Sequence, residues 1–373
     1  MFFREIIAGL EAYKRSNLVS YIRFLSEKDI YIYGAGCFGR ELEKVFRQYG
    51  VCIKGFIDRN AENVRGVDIP VFYPVQVDNK SDIRVIIGIV MDKPSLCQLH
   101  SYLCRLGYCD VIDGQSVRAH YVYALHASEE ERPKEYFSEH LGDMEKADLL
   151  MADDESRATY RCNLRAHILR DYGECRQVEA GTQYFVKDIP FKKGYSRFID
   201  CGAYIGDTLQ ELCKHSADVE AVAAFEPNSR NFSRLANTYY LELKEMISQA
   251  YFFPCGVSDV TMLKRFDEAG GSSSLTDTGR AVVQCVSLDE ALPNFAPTYL
   301  KMDIEGAEYS ALLGAKKMIH AYRPDLAICV YHIIDDFFRI PLLLDSWNLG
   351  YKFYLRGHSS CCMENVLYAV SEG

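Results

Sequence analysis

Strand-like and helix-like hydrophobic patterns alternate along most of this chain. Short apolar runs end in acidic or glycine-rich loops, and most are followed by apolar residues at helical spacing. This alternation predicts an α/β fold with parallel sheets. The pattern occurs in two regions separated by a more polar stretch, so we expect two α/β domains.

The first region contains a glycine fingerprint. Residues 1–28 are typical of one or two amphipathic helices, and a β-rich run over 29–33 then leads into Gly34, Gly36 and Gly39. A helical pattern follows, and the next strand ends at Asp58, the arrangement of a dinucleotide site. We predict a Rossmann-like domain over 1–112 with a nucleotide-type ligand at these four residues. The alternative is a degenerate Rossmann scaffold used for substrate docking or dimerisation.

Charged residues are dense over 113–185, where apolar positions recur at helical spacing, and this segment is predicted to be a helical connector. The third predicted domain covers 186–373. Its candidate strands are 198–201, 222–226, 251–256, 298–303, 326–332, 351–356 and 366–370. Because only a short segment joins the last two, we predict a mostly parallel seven-stranded sheet that ends in an antiparallel hairpin.

Composition narrows the choice of partners. The sequence has 373 residues, of which 49% are hydrophobic. Its net charge of −10 argues against binding to nucleic acid or to an anionic membrane, because both need a basic surface. No apolar run approaches the roughly 20 residues that span a bilayer, and we expect a cytoplasmic protein. The 14 cysteines are scattered without a Cys-x-x-Cys pair, which favours reduced thiols over disulfides or zinc.

Two strand ends in the last domain indicate a nucleoside crevice. Gly202 and Gly206 follow Asp200 in a loop that opens a helix, and such loops accept close approach of an anionic ligand group. Glu226 ends the next strand, where its carboxylate can accept both hydroxyls of a ribose. The alternative for either element alone is an ordinary strand-to-helix turn.

These segments resemble a known family. Residues 198–208 and 225–228 are similar to the first and second motifs of class I S-adenosylmethionine-dependent methyltransferases. The segments 300–308, 311–315, 256–259 and 272–275 resemble the FkbM family. The resemblance covers about residues 150–373, and it implies a seven-stranded methyltransferase fold and methyl transfer, usually to a hydroxyl of a sugar or natural product.

The resemblance also implies roles for single residues. Asp200, Gly202 and Gly206 would line the methionine end of the cofactor, and Glu226 would hold the ribose. The segment 256–259 would flank the adenine, with Ser258 or Asp259 as its polar contact. The full cofactor set expected is Asp200, Gly202, Ala203, Tyr204, Gly206, Asp207, Thr208, Glu226, Pro227, Asn228, Ser258 and Asp259.

Methylation of a hydroxyl needs a base, because the proton must leave as the new bond forms. The candidate catalytic residues are Asp303, Glu305, His332 and His358, all at predicted strand ends. Glu308 is a further candidate whose alternative role is to stabilise a helix N-terminus. A divalent cation held by Asp303 and Glu305 could acidify the hydroxyl, but we do not expect a metal.

The sequence therefore predicts an S-adenosylmethionine-dependent O-methyltransferase that acts on a carbohydrate, a nucleotide sugar or a glycosylated natural product. The partners expected are a small-molecule or glycan acceptor and a nucleotide-type ligand at the first domain. One rival is an NAD(P)-dependent oxidoreductase centred on the first domain, and another is a non-catalytic nucleotide-binding module. The sequence does not identify the acceptor, and it leaves open whether the protein forms a homodimer.

Overall fold

The computed structural model describes residues 2–9, 23–89, 91, 93–114, 117, 134–169, 183–267, 274–275, 281–358 and 364–371. The chain divides into two compact units. The first comprises residues 1–141, 162–176 and 359–362, and the second comprises residues 142–161, 177–358 and 363–373. No helix within the described residues has both the length and the apolar character needed to cross a membrane.

The first unit contains a five-stranded parallel sheet. Its strands are β1 (Ile30–Tyr33), β2 (Ile53–Ile57), β3 (Val71–Phe72), β4 (Arg84–Ile87) and β5 (Asp110–Asp113), in the order β3-β2-β1-β4-β5. Successive residues of β1 belong to two different apolar clusters. Ile32 lies in the cluster of Leu42 and Phe46, and Tyr33 lies in the cluster of Ile87 and Leu103. Apolar layers on both faces explain why these strands read as nearly continuous apolar runs.

The helices of the first unit begin and end as follows. Residues 2–9 are helical, whereas residues 10–22 of the predicted N-terminal helices lie outside the described residues. The further helices are Cys37–Gln48, Lys93–Arg105 and Lys134–Glu139. The strand order reverses between β1 and β4, and ligands of open parallel sheets bind beside such a reversal.

The second unit is built on a seven-stranded sheet in the order β15-β16-β14-β13-β6-β7-β8. These strands are β6 (Arg197–Cys201), β7 (Val219–Phe225), β8 (Ile247–Phe253), β13 (Tyr299–Met302), β14 (Asp325–Cys329), β15 (Tyr351–Gly357) and β16 (Asn365–Ser371). The central pairs are parallel, and β16 runs antiparallel to both β14 and β15. The predicted α/β fold and seven-stranded sheet are confirmed.

A second, four-stranded sheet in this unit was not predicted. It has the order β11-β10-β12-β9, with β9 at Gly256–Val257, β10 at Met262–Asp267, β11 at Ser274–Leu275 and β12 at Ala281–Val286. Leu263 is 70% exposed, and Lys264 and Arg265 lie beside it, so β10 lacks the apolar run that marks the buried strands. Of the segment 272–275, which resembles the FkbM family, the structure describes only Ser274 and Leu275.

Helices and aromatic packing cover the large sheet. The remaining helices of the described chain are Leu141–Leu150, Asp154–Leu169, Asp207–His215, Ser229–Thr238, Leu288–Ala291, Glu308–Gly314, Lys316–Tyr322 and Asp336–Ser346. Phe198 and Tyr299, on neighbouring strands, stack with ring centroids 5.3 Å apart in the buried core. The Tyr299 hydroxyl donates a hydrogen bond to the Tyr184 carbonyl. This packing holds the amino-terminal halves of β6 and β13 together in the core.

Candidate functional site

A cavity of about 400 Å³ opens where the parallel strands β6, β7 and β13 end. Eight residues expected from the sequence line it: Gly202, Tyr204, Asp207, Thr208, Glu226, Pro227, Asp303 and Glu305. The carboxyl ends of adjacent parallel strands share one edge of a sheet, which is why these side chains meet.

The glycine loop after β6 is held tightly against its neighbours. The Gly202 and Ala203 N–H groups both donate to the Phe225 carbonyl at 3.0 Å. Gly202 has φ +86°, and a Cβ there would lie 1.9 Å from the Asp303 carbonyl oxygen. Only glycine satisfies both conditions, so the loop can close against the end of β13 only because residue 202 has no side chain.

Glu226 is fixed in the cavity wall by backbone donors. Its side chain is buried and accepts hydrogen bonds from the Tyr204 N–H at 3.0 Å and from the Asn228 N–H at 2.8 Å. Burial raises the pKa of this carboxyl, and the two backbone hydrogen bonds oppose the rise. The Asn231 side chain also hydrogen bonds to this carboxylate, and both residues line the cavity, where a diol could donate to Glu226.

A buried ion pair lies beneath the loop. The Lys301 ammonium is 2.9 Å from the Asp200 carboxylate and donates to the Gly202 carbonyl at 2.7 Å. Burial would lower the pKa of Lys301, but the carboxylates of Asp200 and Asp303 raise it above its ordinary value. Lys301 reaches the cavity wall whereas Asp200 does not, so Asp200 acts on the site through the loop and the ammonium.

Four titratable side chains meet beside the cavity: Asp303 and Glu305 belong to its lining, whereas Glu308 and His332 lie outside the lining. Nδ1 of His332 is 2.8 Å from Oε1 of Glu308, and its Nε2 is 3.4 Å from Oδ1 of Asp303 and 3.5 Å from Oε2 of Glu305. Glu308 also accepts the Ile304 N–H at 2.9 Å, which fixes its position. Burial would lower the pKa of His332, but these three carboxylates raise it to about 9. His332 is therefore an imidazolium at neutral pH.

The carboxylates of Asp303 and Glu305, which face this imidazolium, have pKa values shifted in opposite directions. Burial would raise the pKa of Asp303, but the charges of Lys301 and His332 lower it below its ordinary value. Tyr184 also donates its hydroxyl to Asp303 at 2.8 Å. At Glu305 burial prevails and raises the pKa, although His332 opposes the rise. Glu305 also has φ +55°, a strained backbone typical of functional positions.

One group in the described residues has the spacing of a metal site. Ligand atoms of Asp303, Glu308 and His332 all lie within 4.8 Å of one another. A metal ion bound there would have to replace the proton that these carboxylates favour on His332.

Several expected site residues lie outside the cavity lining. His358 is close to the Tyr368 hydroxyl, with Nε2 at 2.8 Å, and burial lowers its pKa to about 4. Ser258 and Asp259 hydrogen bond to each other and to Ser310. The side chain of Asn228 caps a helix, and Ala203 and Gly206 form the base of the loop.

The structure adds lining residues that the sequence analysis did not assign. They are Gln183, Tyr184, Phe225, Asn231, Cys255, Lys301, Ile304, Ala307, Tyr331 and Glu364. Gly256 and Val257, from the segment expected to flank the adenine, also line the cavity. Lys301 carried a usable signal, because a charged residue inside an apolar strand predicts a buried partner. Gln183 and Glu364 carried none, since they are distant in sequence and meet through a 2.6 Å hydrogen bond.

The predicted nucleotide residues of the first unit fall into two groups. Gly34 and Asp58 line a separate cavity of about 550 Å³, whereas Gly36 and Gly39 do not. A Cβ on Gly39 would lie 1.9 Å from the Gly34 carbonyl oxygen, so Gly39 is required for packing. The Asp58 carboxylate accepts the Ala35 N–H at 3.0 Å and the Asn60 N–H at 2.8 Å.

Comparison with known proteins bears on the second unit directly. Residues 200–353 match the family model of the methyltransferase FkbM domain. The family model that this segment matches is the one that the sequence motifs resemble. No curated protein matches the chain.

The chain is also similar in fold to a solved structure. The chain is similar to the crystal structure of the methyltransferase FkbM from Methylobacillus flagellatus KT, with 19% identity, a TM-score of 0.67 and 99% of each chain covered. A further match, a "putative rRNA-methylase" from Clostridium thermocellum, has 8% identity and a TM-score of 0.30, and covers 52% of this chain and 99% of the other.

Proposed function

We propose that this chain, which carries an FkbM methyltransferase domain at residues 200–353, transfers a methyl group from S-adenosylmethionine to a hydroxyl of a carbohydrate, a nucleotide sugar or a glycosylated natural product. The observation that carries the proposal is the composition of one cavity. It joins a fixed carboxylate suited to a ribose, Glu226, to the carboxylates of Asp303 and Glu305 facing a buried imidazolium.

The charge of the cavity suits a cationic cofactor. Five acidic residues line it, Asp207, Glu226, Asp303, Glu305 and Glu364, against one ammonium that is already paired with Asp200. A sulfonium nucleoside is attracted to such a surface, whereas a phosphate-bearing dinucleotide is repelled. Glu226 would hold the ribose hydroxyls, and the loop at Gly202 would lie against the methionine portion. When bound, S-adenosylmethionine supplies an electrophilic methyl group on its sulfonium.

Glu305 is the residue we assign as the proton acceptor. It lines the cavity, and its raised pKa makes it the stronger base of the two carboxylates there. Asp303, with its lowered pKa, remains ionised and balances positive charge beside the reaction centre. His332 is protonated, so it positions these carboxylates and does not itself accept the proton.

Two weaker features complete the proposal. The carboxylates that accept hydrogen bonds from hydroxyls suit a polyol acceptor better than an apolar one. None of the cysteines that the structure describes forms a disulfide, which suits a reducing compartment, and we propose the cytoplasm.

The cofactor assignment is tested by calorimetry with S-adenosylhomocysteine on the full chain. Glu226→Gln removes a charged acceptor of two ribose hydrogen bonds, so we expect affinity to fall about 10- to 100-fold. Glu220→Gln, an exposed position on the same strand, is the control and retains affinity. Binding that is equally tight in both variants contradicts the assignment.

The catalytic assignment is tested by release of S-adenosylhomocysteine in the presence of a panel of nucleotide sugars and glycosides. Glu305→Gln is expected to bind S-adenosylhomocysteine normally and to lose about 10²- to 10⁴-fold in turnover, the usual contribution of a general base. Turnover equal to that of the unaltered chain excludes Glu305 as the base.

A further inference from the structure

The first unit has a cavity lined by two arginines, whereas the lining of the cavity in the second unit is mainly acidic. The cavity of the first unit opens at the carboxyl ends of β1 and β4, where the strand order reverses. Its volume is about 550 Å³, and Arg59 and Arg105 both line it together with Tyr33, Asp58 and Tyr102. The two cavities share no lining residue.

Both guanidinium groups are available to a ligand. Neither Arg59 nor Arg105 forms an ion pair with another described residue. Arg59 lies over the Tyr102 ring, with Cζ 4.6 Å from the ring centroid, which fixes its plane without neutralising its charge. The Asp58 carboxylate beside it is already engaged by the Ala35 and Asn60 N–H groups. Among the described lining residues, the wall therefore carries two guanidinium groups outside any ion pair and one carboxylate, that of Asp58.

A buried hydroxyl in the same wall lies beside the Arg59 guanidinium. Tyr33 is only 3% exposed, and its hydroxyl lies close to the Arg59 side chain. Burial raises the pKa of this hydroxyl, and the Arg59 guanidinium opposes the rise. The Tyr33 hydroxyl can therefore donate to an acceptor that Arg59 also binds.

We propose that this cavity binds a phosphate-bearing ligand of the nucleotide or sugar phosphate class, with Arg59 and Arg105 on the phosphate. Guanidinium groups bind phosphate oxygens in a forked geometry, and the Tyr33 hydroxyl adds a further donor. Of the three glycines of the fingerprint, only Gly34 lines the cavity, whereas Gly36 and Gly39 lie outside the lining. The proposal does not depend on the methyl transfer assigned to the second unit.

The test is calorimetry on the full chain with three probes, uridine diphosphate, glucose 1-phosphate and uridine. We expect at least one of the two phosphorylated probes to bind, and uridine to bind at least about tenfold more weakly than uridine diphosphate if it binds at all. Whichever phosphorylated probe binds more tightly identifies the source of the phosphate. Failure of both to bind, or uridine binding as tightly as uridine diphosphate, overturns the proposal.

Matched arginine variants locate the binding. Arg59→Gln and Arg105→Gln are each expected to weaken the phosphorylated probe about tenfold or more. Arg47→Gln, an exposed arginine of the same unit that pairs with Glu43, is expected to leave binding unchanged. Affinity for S-adenosylhomocysteine should be equal in all three variants, which separates this result from unfolding and from the function of the second unit. Unchanged probe affinity in both cavity variants overturns the proposal.

Discussion

At the scale of single residues, neighbouring charges decide the protonation states of the candidate site. Three carboxylates raise the pKa of His332, whereas burial and the Arg356 guanidinium lower the pKa of His358. The sequence places both histidines at strand ends and cannot distinguish them. The distinction depends on the buried carboxylate of Glu308, which belongs to a helix and approaches His332 only in the fold.

The His332 network makes stability depend on pH. The pKa of His332 is about 9 in the fold against 6.5 ordinarily. Below about pH 6.5 the imidazole is charged in both the folded and unfolded states, so its stabilisation is fully present there, and the stabilisation is lost as pH rises through about 9. We expect a loss of ~3 kcal/mol between about pH 6 and about pH 10, and no such loss in His332→Gln.

Urea unfolding followed by tryptophan fluorescence measures this difference. Trp347 is the single tryptophan of the sequence and is buried in the second unit, so its signal reports on that unit. Parallel pH profiles for the unaltered chain and His332→Gln would show that the imidazolium contributes no stability.

The Gly202 position tests how closely the loop is packed. Gly202→Ala combines a positive φ with a Cβ 1.9 Å from a backbone oxygen, so it must displace the loop. Gly194→Ala is the matched control, since it has φ +66° but nothing within 4 Å of its Cβ. We expect ~1–2 kcal/mol of destabilisation in the control from backbone strain alone, and a larger loss together with absent S-adenosylhomocysteine binding in Gly202→Ala. Equal behaviour of the two variants would contradict the packing argument.

At the scale of elements, strand order determines which predicted side chains meet. Glu226, Asp303 and His332 follow the interior strands β7, β13 and β14, of which β13 is the central strand of the sheet. His358 follows β15, one of the two edge strands. Ser258 follows β9, which belongs to the small sheet. Apolar runs in the sequence show that strands exist and where they end. The order of the strands, and the sheet to which each belongs, depend on long-range packing. The sequence therefore predicted that the site lies at the carboxyl edge of the large sheet, but not every residue that lines it.

Asn228 shows how a predicted cofactor residue can serve an element instead. Its side-chain oxygen accepts the N–H groups of Arg230 and Asn231, at 3.0 and 3.1 Å, and so begins the helix Ser229–Thr238. We expect Asn228→Ala to destabilise the second unit by ~1 kcal/mol, and Asn228→Asp to retain the cap. Unfolding and S-adenosylhomocysteine calorimetry measure both effects. Weakening of the cofactor product by Asn228→Ala as severe as that caused by Glu226→Gln would instead favour direct contact.

At the scale of the whole molecule, the second unit draws on three separate stretches of sequence. Residues 142–161 belong to it although they precede the first strand of its sheet by more than thirty residues. Met151 pairs with Phe353 of β15, and the Ser156 hydroxyl accepts the Leu355 N–H at 3.0 Å. The sequence predicted a polar helical connector over 113–185, because the dense charges there give no sign of the few residues that contact β15. The boundary between this connector and the domain predicted over 186–373 stays a prediction.

A buried arginine makes the extent of the second unit testable. Arg356 is 2% exposed, and its guanidinium lies 2.7 Å from Asp153 and 2.8 Å from Asp188. A fragment of residues 186–373 lacks Asp153 and Ser156 and leaves the guanidinium partly uncompensated, at a cost of ~3–5 kcal/mol. We expect a fragment of residues 142–373 to unfold cooperatively by Trp347 fluorescence and to bind S-adenosylhomocysteine, and the shorter fragment to do neither. Asp153→Asn in the longer fragment should reproduce part of the loss, because it removes the same charge while the chain stays in place. Equal stability of the two fragments would mean that residues 142–161 contribute nothing to the unit that carries the site.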